Sequence, residues 1–88
     1  MGALGDTTVS GHVIVRGAPV VNAHIRFVKI GTDLVYGART DARGFYHEGD
    51  MWHGTYRYTV TLENQTTPYV TDRVTLACGD NTLPITLE

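Results

Sequence analysis

Apolar and polar residues alternate along most of this chain. Val9, Gly11, Val13 and Val15 share one parity, leaving Ser10, His12, Ile14 and Arg16 on the other. Ala23, Ile25 and Phe27 alternate with His24, Arg26 and Val28, and Leu34, Tyr36, Ala38 and Thr40 form a third row. Phe45 opens a short fourth segment; Tyr56, Tyr58, Val60 and Leu62 then oppose Arg57, Thr59, Thr61 and Glu63. Val70, Asp72, Val74 and Leu76 share a face, as do Leu83, Ile85 and Leu87. A period of two marks a half-buried strand, and no apolar stripe of helical period interrupts it. Turn residues at Gly17-Ala18-Pro19, Gly31-Thr32-Asp33, Asp41 to Gly44, His53-Gly54, Asn64 to Pro68 and Gly79-Asp80-Asn81 divide the chain into seven segments. One buried face per strand predicts two antiparallel sheets packed about 10 Å apart. Asp72 breaks its apolar row and is expected at a strand edge or bulge. Pro68 and Pro84 are expected at strand starts or edges, because proline cannot donate to a ladder.

Composition narrows the picture. Thirteen threonines and ten valines favour pleated strands over helices. A chain of 88 residues allows a single domain with one modest core. We read residues 1–8 as a flexible lead-in and 9–88 as the domain. A net charge of −2 with no basic stripe argues against nucleic-acid binding. The longest apolar run, Ala18 to Val21, is far too short for membrane insertion. No secretory signal is read, which fits the cytoplasm for a complete chain and a secreted or surface location for an excised domain. Cys78 is the only cysteine, so no internal disulfide forms.

Four motifs occur in order. Val9-Ser10-Gly11-His12-Val13 is followed by Gly17-Ala18-Pro19-Val20-Val21-Asn22-Ala23-His24-Ile25, then Ala38-Arg39-Thr40-Asp41-Ala42-Arg43-Gly44-Phe45, then Gly54-Thr55-Tyr56-Arg57-Tyr58-Thr59-Val60. The series resembles the carboxypeptidase regulatory-like domains over residues 9 to 87. That resemblance implies a seven-stranded antiparallel Greek-key β-sandwich of the transthyretin-like (prealbumin-like) type. It also implies a non-enzymatic accessory module that docks, spaces or stabilises a larger protein or assembly. Each motif has a local physical reason. Pro19 fixes a backbone dihedral in a chain reversal, Asp41 can bond its own turn, and Gly44 and Gly54 permit tight geometry.

Several constellations are candidates for chemistry. His47, Asp50 and His53, at i, i+3 and i+6, offer two imidazoles and a carboxylate to a divalent metal. Solvated surface histidines are the plainer account of these and of His12 and His24, which are expected as cross-strand neighbours. The hydroxyisourate hydrolases share the prealbumin-type fold, and His12-Val13 and Arg43 match two of their features. Their C-terminal Tyr-Arg-Gly-Ser has no counterpart in Pro84-Ile85-Thr86-Leu87-Glu88, so the chain is expected not to be an enzyme. Lys29 has the inner parity an isopeptide crosslink needs, but Glu63, the nearest acid, has the outer one; Lys29 is expected to run out to the sheet end. Cys78 is expected as a small buried hydrophobe. Met51-Trp52 is the sharpest local departure from the family pattern. Trp52 either plugs one end of the sandwich or anchors a partner, with Met51 beside it and Tyr46, Tyr69, Arg57 and Arg73 as the residues expected around it. Of these, Met51, Trp52, Tyr46 and Arg57 form the expected binding set. The second reading is a carbohydrate- or small-ligand-binding module that stacks on Trp52 and Tyr46. No cofactor is expected. The expected partner is another protein or the rest of an assembly, with homo-oligomerisation through edge strands as a further route.

Overall fold

The computed structural model describes residues 5–63, 65–66 and 70–87. Among these the strands are β1 (Thr7–Val15), β2 (Ala18–Pro19), β3 (His24–Lys29), β4 (Val35–Arg39), β5 (Phe45–Met51), β6 (Gly54–Thr61), β7 (Val70–Leu76), β8 (Gly79–Thr82) and β9 (Ile85–Leu87). They form two sheets. One has the order β4-β3-β6-β7, antiparallel throughout; the other is built around β1. Along one side of β1 run β5 and β2, antiparallel to it; along the other run β8 and β9, parallel to it. The sandwich read from the alternation is therefore present, with two refinements. Ala18–Pro19 and Gly79–Thr82, read from the sequence mainly as turns, pair with β1 as β2 and β8, giving nine strands among the described residues where seven segments were expected. The β1 sheet is also mixed rather than purely antiparallel. Parallel pairing needs a long crossover, here the whole of the second sheet, and nothing in a strand's own alternation records it.

The inner faces are those the parity assigns. Val9, Val13, Ile25, Phe27, Tyr56 and Val60 are completely buried. Phe27 is the hub: its ring meets Tyr56 edge-on at 6.2 Å and lies 6.1 Å from Tyr58 and 6.5 Å from Tyr46. Asp72 is exposed on β7, the sheet edge, and stays in unbroken register with Tyr58, so the edge, not a bulge, accounts for it. The register shift lies instead between Thr7 and Val9 against β5. Pro68, expected near a strand start, and Tyr69, expected near Trp52, lie outside the described residues.

His12 and His24 are not neighbours. They stand in different sheets, His12 against the Phe45 ring at 5.2 Å and His24 in register with Arg39 and Thr61. The first hairpin turns on Arg16 and Gly17, both with positive φ (53° and 82°), between the paired residues Val15 and Ala18. Two left-handed residues in a two-residue loop match the right-handed twist of the flanking strands. Asp41 holds the next turn as expected, its Oδ1 accepting from Arg43 N at 2.8 Å and Phe45 N at 3.1 Å. Lys29 runs out along the sheet end over Gly54, where a Cβ would stand 2.7 Å from Lys29 Cε.

Candidate functional site

Three chain segments meet at one end of the β1 sheet, and the pairing registers explain why. Thr7, the first residue of β1, pairs with Met51 at the end of β5 and with Gly79 at the start of β8. The residues just beyond those positions are Asp6, Trp52-His53 and Cys78. A backbone bond from Gly79 N to Asp6 O at 2.8 Å ties two of the segments together.

The side chains converge. His53 Nδ1 lies 3.3 Å from Asp6 Oδ1 and 3.4 Å from Cys78 Sγ. The Cys78 thiol donates to Asp6 Oδ2 at 3.1 Å, and Thr7 Oγ1 donates to Asp6 Oδ1 at 2.9 Å. All three residues are exposed. The thiol, the Thr7 hydroxyl and then His53 hold the Asp6 carboxyl down at about 2. Its acceptance of the thiol proton pushes Cys78 up from the ordinary cysteine value. A raised thiol is a poor nucleophile. The arrangement is also wrong for a relay, which needs one ring nitrogen on the nucleophile and the other on the acid. Here a single nitrogen faces both.

Each residue expected to act falls somewhere definite. Tyr46 and Met51 are corrections: both are core residues, 1% and 0% exposed, and present no surface to a ligand. Tyr46 belongs to the inner parity of β5, and its hydroxyl donates to Leu83 O. Trp52 is half-buried, and its carbonyl accepts the Tyr56 hydroxyl at 2.6 Å. Arg57 is exposed on β6 with Val28 and Arg73 as register neighbours. The His47, Asp50 and His53 constellation does not assemble. His47 precedes, and Asp50 at φ 57° lies within, the bulge that β5 makes against Thr7 to Val9, and neither joins the side chains that converge at this end. His53 alone reaches a cluster, with Asp6 and Cys78. Cys78 is exposed rather than buried. The signal that could have raised Asp6 and Cys78 was only their residue type, since they lie 72 positions apart.

A second feature lies where β3 starts and β4 and β6 end. A cleft of about 590 Å³ is lined by Asn22, His24, Arg39, Thr61, Glu63 and Gln65, among others. Asn22 Nδ2 donates to Glu63 Oε2 across it at 3.1 Å.

Two stacked sheets, a Thr/Val-rich alternation and motif-bearing turns define a small β-sandwich module. The chain belongs to the carboxypeptidase regulatory-like domain family, whose model matches residues 8–88. No curated protein matches it by sequence. Solved structures share the fold. A DUF3823 family protein from Bacteroides ovatus is 16% identical with a TM-score of 0.70, covering 92% of this chain and 43% of its own. A candidate carbohydrate-binding protein from Pseudomonas aeruginosa is 14% identical with a TM-score of 0.69, covering 97% and 90%. A type II cohesin–X–dockerin complex from Acetivibrio cellulolyticus is similar at 28% identity and a TM-score of 0.57, covering 91% and 56%. The chain thus spans about half the length of two of these and nine tenths of the third.

Proposed function

We propose that this domain is a non-enzymatic accessory module that docks a protein partner by strand addition at the β4 edge. The observation that carries the reading is the unequal protection of the two edges of the β4-β3-β6-β7 sheet. The β7 edge displays Asp72 and Arg73, exposed charges that discourage pairing with another chain. The β4 edge opens with Val35, 48% exposed, beside the exposed Ile30 and Leu34, and carries its only charge at Arg39. Main-chain groups of such an edge give affinity, and the apolar residues beside it give selectivity. Trp52 belongs to the same end: Ile30 N bonds Thr55 O at 2.9 Å, three residues from it in sequence. Family membership and the likeness to a structure of a cohesin–X–dockerin complex support a module of this kind.

The test is a paired capture with wild type and Val35→Lys as baits, followed by hydrogen exchange on the recovered complex. The expected result is a partner held by wild type and released by Val35→Lys, with β4 amides protected in the complex. Melting of the variant should stay within a few degrees of wild type, as for most surface changes. Equal capture by both baits would remove the edge from the proposal. Trp52→Ala separates its two roles: loss of capture alone makes it an anchor, and loss of stability with capture makes it a plug.

The polar cleft at Asn22, His24, Arg39 and Glu63 favours a second reading, a carbohydrate or small polar ligand, in place of stacking on Trp52 and Tyr46. A glycan array would show saturable binding that Arg39→Ala abolishes; a blank array leaves strand addition.

A further inference from the structure

We propose that Asp6, His53 and Cys78 form a mononuclear zinc site, with one carboxylate oxygen, His53 Nδ1 and Cys78 Sγ as protein ligands and water completing the coordination. The three ligand atoms converge on one point rather than forming a chain. Tetrahedral zinc, with Zn–S of about 2.3 Å and Zn–N or Zn–O of about 2.0–2.1 Å, puts its ligand atoms about 3.3–3.6 Å apart. His53 Nδ1 is 3.3 Å from Asp6 Oδ1 and 3.4 Å from Cys78 Sγ. With Oδ1 as the ligand oxygen, the nitrogen–oxygen and nitrogen–sulfur separations already match, and one ligand atom from each of the three residues lies within 4.8 Å of the others. The thiol's 3.1 Å hydrogen bond is to the other oxygen, Oδ2. That bond is lost when the metal binds: zinc takes the sulfur lone pair, the Sγ–H bond breaks heterolytically, and the proton leaves to solvent. His53 then carries its proton on Nε2. A donor set of sulfur, imidazole nitrogen and carboxylate suits zinc and not the hard cations, which take oxygen.

The support around the ligands is also present. Thr7, 1% exposed, holds the Asp6 carboxylate by its hydroxyl, as outer-shell groups orient ligands at zinc sites. The ligands come from before β1, after β5 and before β8, so a bound ion would join segments far apart in the chain. Such an ion binds the folded chain, where the three ligands are already together, more tightly than the unfolded one, and so stabilises it.

The test is zinc titration by calorimetry under a thiol-free reductant, with melting curves and Co2+ substitution read in parallel. Wild type should bind one zinc per chain, melt at higher temperature with zinc, and give a thiolate-to-cobalt charge-transfer band. Outer-shell losses weaken zinc sites about 10–100-fold, so Cys78→Ser and His53→Gln, which remove ligands, should weaken binding at least about 100-fold. Cys78→Ser should also abolish the cobalt band. Thr7→Val should weaken binding about 10-fold while keeping that band. Metal-free melting curves establish that each variant is folded, and the exposed positions of Cys78 and His53 favour this. A His47→Gln, Asp50→Asn double variant should bind as wild type does. No stoichiometric zinc binding by wild type would overturn the proposal, as would binding unchanged in folded Cys78→Ser or His53→Gln, or binding lost in the double variant.

Discussion

Thr40 carries no charge and no reactive group, yet its hydroxyl holds two strand connections in place. Oγ1 accepts from Ala23 N at 2.8 Å and donates to Val20 O at 2.6 Å, and the residue is 3% exposed. Thr40→Val keeps the shape and leaves a buried donor and an acceptor unpaired, at a cost of about 1–3 kcal/mol. Urea denaturation should show that loss with an unchanged slope; a loss well under 1 kcal/mol would mean water replaces the hydroxyl. The inner parity of Thr40 was readable from the alternation, because it is a property of neighbouring residues. The clasp was not, because its partners lie 17 and 20 positions away. Cys78 teaches the same lesson in reverse. Residue type favours burial for a lone cysteine, but its place in a bend before β8 leaves it exposed beside Asp6 and His53.

Among the elements, the first hairpin carries an avoidable cost. Arg16 takes φ 53° in a two-residue turn that prefers Asn-Gly, and the left-handed region disfavours a long side chain. Arg16→Asn should therefore raise stability by about 0.5–1 kcal/mol, read as a higher urea midpoint. An unchanged or lower midpoint would show that the arginine side chain stabilises the turn in another way. The Gly17-Ala18-Pro19 signal found this turn because turn chemistry is local, but placed it late: the reversal is Arg16-Gly17, and Ala18 and Pro19 already pair with β1. The pairing partners of each strand are a different matter. The charges on β7 and the apolar opening of β4 were visible as residue types, but only the sheet order makes both of them edges.

Among the described residues, Tyr46, Tyr56 and Tyr58 share one core. Desolvation raises Tyr46 well above the ordinary tyrosine value; desolvation, then Tyr36, pushes Tyr56 up to about 12. Both groups ionise near pH 10 in the unfolded chain. Their contribution to stability is therefore complete below about pH 10 and is lost as pH rises from there through about 12. Tyrosinate absorbance from the buried rings should appear together with the collapse of the β-sheet circular dichroism signal. Full ionisation with that signal intact would contradict the burial described above.

Alternation of residue types along the chain was enough to establish strands, their inner faces and, with the four motifs, the family. It works because a strand's two faces are set by its own pleat, and a turn by the residues within it. The meeting of Asp6, His53 and Cys78, the removal of Tyr46 and Met51 to the interior, and the exposure of the β4 edge depended on long-range pairing. Each follows from which strands lie side by side and in what register: Thr7 against Met51 and Gly79, and β4 at the end of its sheet. Register is a collective choice made when two sheets bury their inner faces together, and no segment of this chain contains it alone.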